Sequence, residues 1–383
     1  MIVYNAHSHY GVEIYDRPIS LKSIFNHSYV GWQNELISED LESIVRYFVK
    51  NKTMNAFVQL KKALEDLYGN GLMLDENTWH VFDERLKKAH DQKGYDHYVL
   101  KERCGYEEIL LDDYIQIRSD GSNGVSCKVS LRCDFMFYGY SKEALLTSEA
   151  LPFEFFDHIP NNITDYTNKV VTYIEESLSY GKCSAIKVCM AYFRDLSFER
   201  VSPKQAEQVY GDTDNPHFIK QFQDYVMDLI CKTAEKYDIP IQIHTGLGQI
   251  QGTSAIELIP LFNRFPKVKF VLLHGSFPWI DDLLAVLYAY PNTYVDVCWV
   301  PLLSKKMAVD TLVKIMELIG YDRIIWGCDT SSVEESYGAL KVTLEILDQV
   351  NTYFIGEGVY DQVFATHIKE SIMYLTAKQL FHR

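Results

Sequence analysis

The sequence predicts an α/β protein, a (β/α)8 TIM barrel with a helical insertion after the first strand. From about residue 183 onward, short β-branched runs alternate with longer amphipathic stretches, which is typical of a parallel sheet with helical crossovers. Three further strand candidates lie upstream, and the total of eight closes such a barrel. An open doubly wound sheet is the competing fold, but it requires a glycine-rich phosphate loop after the first strand, and His-Ser-His-Tyr-Gly at residues 7–11 is not one.

Each strand and helix is predicted from its apolar periodicity and its length. The eight predicted strands are residues 2–6, 108–113, 129–137, 183–190, 240–244, 267–274, 293–298 and 323–328. The predicted crossover helices are residues 162–180, 217–237, 254–265, 279–290, Lys305–Ile319 and 333–350.

The long segment between the first two strands predicts a helical subdomain. Residues 38–51, 53–67 and 75–92 each show helical periodicity, and Ser-Glu-Asp-Leu-Glu at the start of the first is typical of a capped helix. The segment lacks the Pro-rich or Ser-rich linker that a separate module requires. We therefore expect one domain over residues 1–383, with residues 18–105 as an insertion that covers the barrel mouth.

The composition disfavours several classes of partner. A formal net charge of −15 disfavours nucleic acid and anionic membrane surfaces. No apolar run approaches the ~20 residues of a membrane span, and the first residues lack the features of a signal peptide. None of the eight cysteines forms a Cys-x-x-Cys pair, which favours buried free thiols in a reducing compartment. We expect a cytoplasmic protein that acts on a small molecule, without nucleic-acid or membrane partners, and a homo-oligomer is compatible with the sequence.

Side chains of metal-ligating type recur where the predicted strands end. His7 and His9 close the first apolar run, and on a strand they share one face because strand side chains alternate. Four more such positions lie in or after later strands: Lys187 in the fourth, His244 and His274 at the ends of the fifth and sixth, and Asp329 after the eighth. The carboxyl ends of barrel strands meet at one face, so these six side chains predict a metal site there.

Each of these positions also has a purely structural interpretation. An isolated His-x-His is more often a pair of surface residues in a turn, and His274 alone would suit a core histidine. Lys187 could extend its amine to the surface, although a strand buried on both faces leaves it no convenient route. Asp329 precedes Thr-Ser-Ser and would suit a helix cap. The ordered recurrence of these residues favours the metal site.

Five motifs carry a resemblance to a known family. In chain order they are NAHSH, AIKV, IQIHTG, FVLLHG and WGCDT. These motifs make the sequence resemble the amidohydrolase superfamily of metal-dependent (β/α)8 barrels, and the resemblance covers essentially the whole chain. It is closest to the amidohydrolase-related, or amidohydrolase 2, branch. KVCMAYFRDLSFE and HTGLGQI, followed by FVLLHGSFPWIDDL, resemble the amidohydrolase domain found fused to glutamine synthetase, and NHSYVGW in the insertion is similar to the uronate isomerases.

The resemblance implies a ligand set but not the number of ions. In binuclear members all six matching positions serve the metals, and the position of Lys187 is carbamylated and bridges two ions. Many members of the branch instead hold one ion, which implies His7, His9, His244 and Asp329 as its ligands. Zinc is the expected ion for this set and manganese the alternative. One or two ions, and the state of Lys187, stay open.

The resemblance also implies a reaction. A bound divalent ion activates water near neutral pH, Asp329 takes and returns the proton, and His274 polarises the substrate carbonyl. We expect a metal-dependent hydrolase that cleaves an amide, lactone or related bond of a small carboxylate-bearing substrate. The alternative is a uronate-isomerase-like isomerase or a decarboxylase on the same scaffold. A barrel that binds metal without turnover is disfavoured, because the full ligand set is present.

Substrate-binding residues are predicted from their positions. Tyr192 and Arg194 follow the fourth strand, where a barrel loop faces the mouth, and Arg194 suits a substrate carboxylate. Further candidates are Arg132 in the third strand and, from the insertion, His27, Tyr29 and Trp32.

Overall fold

The computed structural model describes residues 1–10, 19–113, 125–140, 160–179, 183–212 and 214–382. Within these residues, eight strands form one parallel sheet in the order β1 to β8, which confirms the predicted (β/α)8 TIM barrel. The strands are β1 Val3–Ser8, β2 Tyr106–Asp113, β3 Ser126–Arg132, β4 Cys183–Val188, β5 Ile241–Ile243, β6 Phe270–Leu272, β7 Thr293–Asp296 and β8 Ile324–Ile325.

The chain divides into two compact units. Unit 1 comprises Met1–Leu111, Asp120–Cys127 and Val297–Thr376, and unit 2 comprises Asp112–Ser119, Lys128–Asp296 and Ala377–Arg383. A single domain over residues 1–383 stays a prediction. The predicted insertion start at residue 18 and helix end at residue 180 lie outside the described residues. Among the described helices, none has the length and apolar character needed to cross a bilayer.

In unit 1, β1 lies directly beside the segment that follows β8. The amide of Ala6 donates to the carbonyl of Trp326 at 3.1 Å, and the amide of Asp329 donates to the carbonyl of His7 at 2.8 Å. Gly327 permits this approach, because a Cβ atom at that position would lie 2.4 Å from the His7 amide nitrogen. The NAHSH and WGCDT motifs are therefore neighbours in space.

Helices fill the insertion between β1 and β2. Their bounds are Leu21–His27, Leu41–Asn51, Asn55–Leu64, Trp79–His90 and Tyr95–His97, with π-helical segments at Glu65–Gly69 and Tyr98–Arg103. The helix at Leu21–His27 was not predicted, because its 7 residues span fewer than two helical periods. Asp40 caps the next helix by accepting the Ser43 amide. That this segment covers the barrel mouth stays a prediction.

An ion network within unit 1 joins the insertion to helix Val333–Gly356. His90 Nε2 lies 2.7 Å from Glu334 Oε1, and His90 Nδ1 lies 3.3 Å from Asp96 Oδ1. Burial lowers the pKa of His90, but hydrogen bonds to Asp96 and Glu334 outweigh that effect and raise the pKa to about 10. The network therefore holds a charged imidazolium between two carboxylates.

We expect His90 to make the free energy of unfolding fall as the pH rises. Its folded pKa of about 10 exceeds the ordinary 6.5, so its contribution is complete below pH 6.5 and is lost as the pH rises through 10. One pKa unit corresponds to about 1.4 kcal/mol, which predicts a loss on the order of a few kcal/mol.

Urea unfolding across this range should show the loss in the wild type and not in His90→Gln. A control variant, His80→Gln, changes an exposed histidine of the same helix and should behave as the wild type. Equal pH dependence in all three proteins would contradict the assignment.

The predicted third strand is wrong at its carboxyl end. We predicted a strand over residues 129–137, but β3 ends at Arg132 and Asp134–Tyr138 forms a 3-10 helix. The buried Asp134 turns inward and accepts the amide of Cys189 at 2.6 Å, which takes the chain out of the strand ladder.

The helices that follow the insertion agree with the predicted crossovers in most places. They are Ile163–Ser179, Pro203–Val209, Pro216–Tyr237, Ile259–Arg264, Ile280–Ala289, Trp299–Leu303, Lys305–Ile319, Val333–Gly356, Gln362–Glu370 and Thr376–Leu380. The helix Lys305–Ile319 has the predicted bounds. Its capping residue Ser304 accepts the amide of Met307, which fixes the start.

Candidate metal centre

Two histidines, one in β1 and one directly after it, lie close to one carboxylate group in unit 1. His7 Nε2 lies 3.2 Å from Asp329 Oδ1, and His9 Nε2 lies 2.9 Å from the same oxygen. His7 and Asp329 are buried, whereas 29% of the His9 side chain is exposed. The structure thus brings three of the six predicted metal-site residues together and leaves one of them open to solvent.

The spacing of these three ligand atoms fits a divalent cation. Histidine nitrogen and carboxylate oxygen bind zinc at about 2.0–2.2 Å, so two ligands of one tetrahedral ion lie roughly 3.3 Å apart. The observed separations of 3.2 and 2.9 Å are close to that value. His7 Nδ1 lies 3.8 Å from the Cys298 sulfur, so its second ring nitrogen also has a neighbour that helps to orient the ring.

The second oxygen of Asp329 is held by a tyrosine from the insertion. The Tyr29 hydroxyl donates to Asp329 Oδ2 at 2.9 Å and lies 2.6 Å from the Asp329 carbonyl oxygen. Trp299 Nε1 in turn donates to the Tyr29 hydroxyl. Burial, followed by the nearby Asp329 charge, raises the pKa of Tyr29 well above its usual value, so the hydroxyl keeps its proton. Asp329 therefore presents one oxygen to the histidines and the other to a permanent donor.

Asp329 is not the cap of the helix that follows it. Ser332 caps helix Val333–Gly356 by accepting the amide of Glu335. Asp329 instead has a positive φ of 50°, which is costly for a residue with a Cβ atom and is concentrated at functional sites. The alternative interpretation of Asp329 as a helix cap is therefore wrong.

Replacing Tyr29 with Phe should lower kcat about 10- to 100-fold, because it removes the hydrogen bond that orients Asp329. Tyr47→Phe is the matched control, since the buried Tyr47 hydroxyl has no hydrogen-bond partner within the described residues. Steady-state kinetics and metal content of both variants check this prediction. A Tyr29→Phe enzyme with wild-type kcat would show that Asp329 needs no such support.

Two residues around Tyr29, Glu335 and Trp299, were not predicted from the sequence, whereas Trp32 was. Glu335 Oε1 accepts the Tyr29 amide at 2.8 Å, and burial raises the pKa of Glu335 to about 8. The exposed ring of Trp32 packs edge-on against Tyr29 and Trp299, with ring centroids 4.7 and 5.6 Å away. Trp299 follows β7, so a search for residues that follow predicted strands would have found it.

In unit 2, the histidines that follow β5 and β6 contact each other. His244 Nδ1 lies 2.8 Å from His274 Nε2, and His244 Nε2 is hydrogen-bonded to the Leu247 carbonyl. Donation to that carbonyl places the His244 proton on Nε2, so Nδ1 carries the lone pair. His274 has a positive φ of 66°, again a strained backbone position. The Tyr192 ring lies 4.3 Å from the His244 ring and is 43% exposed.

Lys187 forms a buried ion pair in the same unit. Its Nζ atom lies 3.0 Å from Asp112 Oδ2, and each side chain is 1% exposed. Every residue of β4 is buried, so the amine does not extend to the surface. Asp112 lies near the carboxyl end of β2. His7 was predicted from the same kind of position, but Asp112 was not predicted.

The predicted substrate-binding residues have structural partners. Arg194 pairs with Asp224 at 2.8 Å and its guanidinium lies over the Phe198 ring. Arg132 pairs with Asp134 at 2.7 Å. His27 Nδ1 lies 2.8 Å from the Ser23 carbonyl oxygen. These contacts account for the positions of the three side chains. That the three side chains also bind substrate stays a prediction.

Comparison with known proteins agrees with the sequence resemblance. Residues 207–383 match the family model described as Amidohydrolase. Protein fluG of Emericella nidulans is 27% identical to this chain over 148 residues, which are 37% of this chain and 17% of that protein. The chain thus matches less than a fifth of the length of this relative.

Solved structures share the fold over nearly the whole chain. The uronate isomerase of Thermotoga maritima has a TM-score of 0.79 at 15% identity, covering 100% of this chain and 94% of its own. The glucuronate isomerase of Caulobacter crescentus has a TM-score of 0.72 at 12% identity, covering 100% and 91%. A protein of Lactobacillus casei ATCC 334 described as a metal-dependent hydrolase has a TM-score of 0.70 at 16% identity, covering 99% and 95%. Over residues 207–383 this chain therefore resembles the Amidohydrolase family, and the solved structures share its fold over nearly the whole chain.

Proposed function

We propose that this protein is a metal-dependent hydrolase that cleaves an amide, lactone or related bond of a small carboxylate-bearing substrate. The observation that carries the proposal is the convergence of His7 and His9 on one oxygen of Asp329, at 3.2 and 2.9 Å. A bound divalent ion, zinc by preference and manganese as the alternative, supplies Lewis acidity and makes water easier to deprotonate near neutral pH.

Asp329 is the proposed proton carrier. Its carboxylate accepts a proton from the attacking water and returns it to the leaving group. Tyr29 fixes the orientation of this carboxylate through Oδ2, so the lone pairs of Oδ1 point to the side of His7 and His9. The buried surroundings strengthen these interactions, because the local dielectric is low.

His244 and His274 are the other two histidines to which the proposal gives a role. We assign His244 as a further ligand and His274 as the group that polarises the substrate carbonyl. Both follow barrel strands at their carboxyl ends, where barrel enzymes carry their active sites. Tyr192 beside His244 is the candidate contact with substrate.

A second candidate is an isomerase of the uronate-isomerase kind. The position of Asp329 beside His7 and His9 supports it, because a carboxylate next to a bound divalent ion can take a proton from one carbon of a sugar acid and return it to the neighbouring carbon. The shared fold with two sugar-acid isomerases is compatible with this candidate. Decarboxylation is the remaining alternative on this scaffold.

We further propose a cytoplasmic enzyme whose partner is a small molecule. All eight cysteines are free thiols, as a reducing compartment favours, and the net charge of −15 disfavours nucleic acid and anionic membranes.

Substrate panels separate these candidates. The full chain, loaded with zinc and in parallel with manganese, is assayed against N-acyl amino acids, lactones and hexuronates, with Asp329→Asn as the inactive reference. Hydrolysis of an N-acyl amino acid or a lactone supports the hydrolase, and interconversion of a hexuronate with its keto form supports the isomerase. Bound metal without turnover of any member of the panel would contradict both.

A further inference from the structure

An exposed tryptophan of the insertion lies beside the candidate metal centre in unit 1. The Trp32 ring centroid is 4.7 Å from the Tyr29 ring centroid, and the Tyr29 hydroxyl donates to Asp329 Oδ2 at 2.9 Å. One side chain therefore separates Trp32 from the carboxylate of the proposed proton carrier. Trp32 is 59% exposed, whereas its aromatic neighbours Tyr29 and Trp299 are 7% and 2% exposed. Trp32 is thus the member of this aromatic group that a ligand can reach.

The contacts of Trp32 leave much of its ring surface open. Its ring plane makes an angle of 61° with Tyr29 and 88° with Trp299, so neither neighbour is stacked flat against it. A single exposed apolar residue is ordinary on a protein surface. Here, however, the exposed ring adjoins a functional group, and small-molecule sites are lined mainly by aromatic and apolar side chains.

The two buried neighbours hold the Trp32 ring in place. Trp299 Nε1 donates to the Tyr29 hydroxyl, which is also hydrogen-bonded to Asp329, so the orientation of the Tyr29 ring is fixed at its polar end. Trp32 packs edge-on against both of these rings. A side chain that is already ordered loses little conformational entropy when a ligand binds to it. The group therefore presents a flat apolar surface close to Asp329.

We propose that Trp32 forms a substrate subsite, which stacks on a six-membered ring of the substrate while the reacting bond lies at Asp329. Aromatic rings stack on tryptophan in offset or edge-on geometry, and the apolar face of a pyranose fits the same surface through dispersion contacts. The substrate class is a small carboxylate that bears a ring near the reacting bond. This subsite rests on the proposed function, in which Asp329 takes part in the reaction.

Pairs of carboxylates with and without a ring test the subsite directly. The full chain, zinc-free and zinc-loaded, is titrated with N-acetyl-phenylalanine against N-acetyl-alanine and with glucuronate against open-chain gluconate. Ligand-observed NMR measures each Kd and also detects turnover. We expect the ring-bearing member of one pair to bind more tightly, and Trp32→Leu to reduce that preference about 3- to 10-fold. The pair that shows the preference identifies the ring as aromatic or pyranose.

Two further variants show whether the loss is specific to the Trp32 ring. Trp32→Phe keeps an aromatic ring and should retain most of the preference. Tyr288→Leu removes a ring that is 71% exposed, on helix Ile280–Ala289, and should behave as the wild type. Equal preference in the wild type and Trp32→Leu, or no preference in either pair, would overturn the subsite.

The same titrations separate failure of the subsite from failure of the proposed function. A ring preference that depends on Trp32, without turnover of any compound in the substrate panel, would support the subsite and contradict the proposed function. Turnover without a ring preference would support the function and overturn the subsite. If the chain binds no zinc, the proposed metal centre fails, and the zinc-free titrations still decide the role of Trp32.

Discussion

Replacing Asp329 with Asn is expected to reduce turnover about 1,000-fold or more while leaving most of the bound metal in place. The amide is nearly the same size as the carboxylate and keeps an oxygen for Tyr29, but it accepts no proton, and general acid–base groups contribute 10²- to 10⁴-fold. Because His7 and His9 remain, the metal content should fall little. Single-turnover kinetics and metal analysis on the same preparation measure both quantities.

Asp310→Asn is the control for this change. Asp310 is an aspartate on the surface that pairs with Lys306, and its loss should alter neither turnover nor metal content. An Asp329→Asn enzyme with turnover close to that of the control would remove Asp329 from proton transfer.

Replacing His7 and His9 together with Ala is expected to remove nearly all bound metal. The pair contributes two of the three ligand atoms that converge in unit 1, and one carboxylate oxygen is too weak a ligand to hold a divalent ion by itself. The protein should be purified with trace zinc, dialysed, and analysed for metal per chain, with its fold checked by circular dichroism.

Two exposed histidines provide the matched control for the double variant. Ala at His80 and His217 removes the same number of imidazoles from the surface of the chain and should leave the metal content unchanged. If both double variants carry as much metal as the wild type, the ion is held elsewhere and the ligand assignment is wrong.

The barrel could be predicted from the sequence because its signals are local. Each strand is a short β-branched run, each crossover helix has its own apolar stripe, and the count of eight follows from reading them in order. His7 and His9 could be placed on one face from strand alternation alone. Asp329 follows the last strand, so its proximity to His7 and His9 depends on closure of the barrel. The count of eight strands implies that closure.

The contacts that orient the predicted residues could not be read from the sequence. Tyr29 reaches Asp329 from 300 residues away, and only the packing of the insertion sets that contact. Arg194 appeared free to bind a carboxylate, but Asp224, on a helix about thirty residues later, already pairs with it. Lys187 was expected to serve a metal, and its partner Asp112 lies on a different strand. Such partners depend on tertiary structure, which residue type and spacing do not encode.

An anomalous-scattering map from crystals of the zinc-loaded protein tests the central claim most directly. We predict a peak about 2.0–2.2 Å from His7 Nε2, His9 Nε2 and an oxygen of Asp329. A zinc peak remote from these three atoms, or zinc-loaded crystals with no peak beside them, would contradict it.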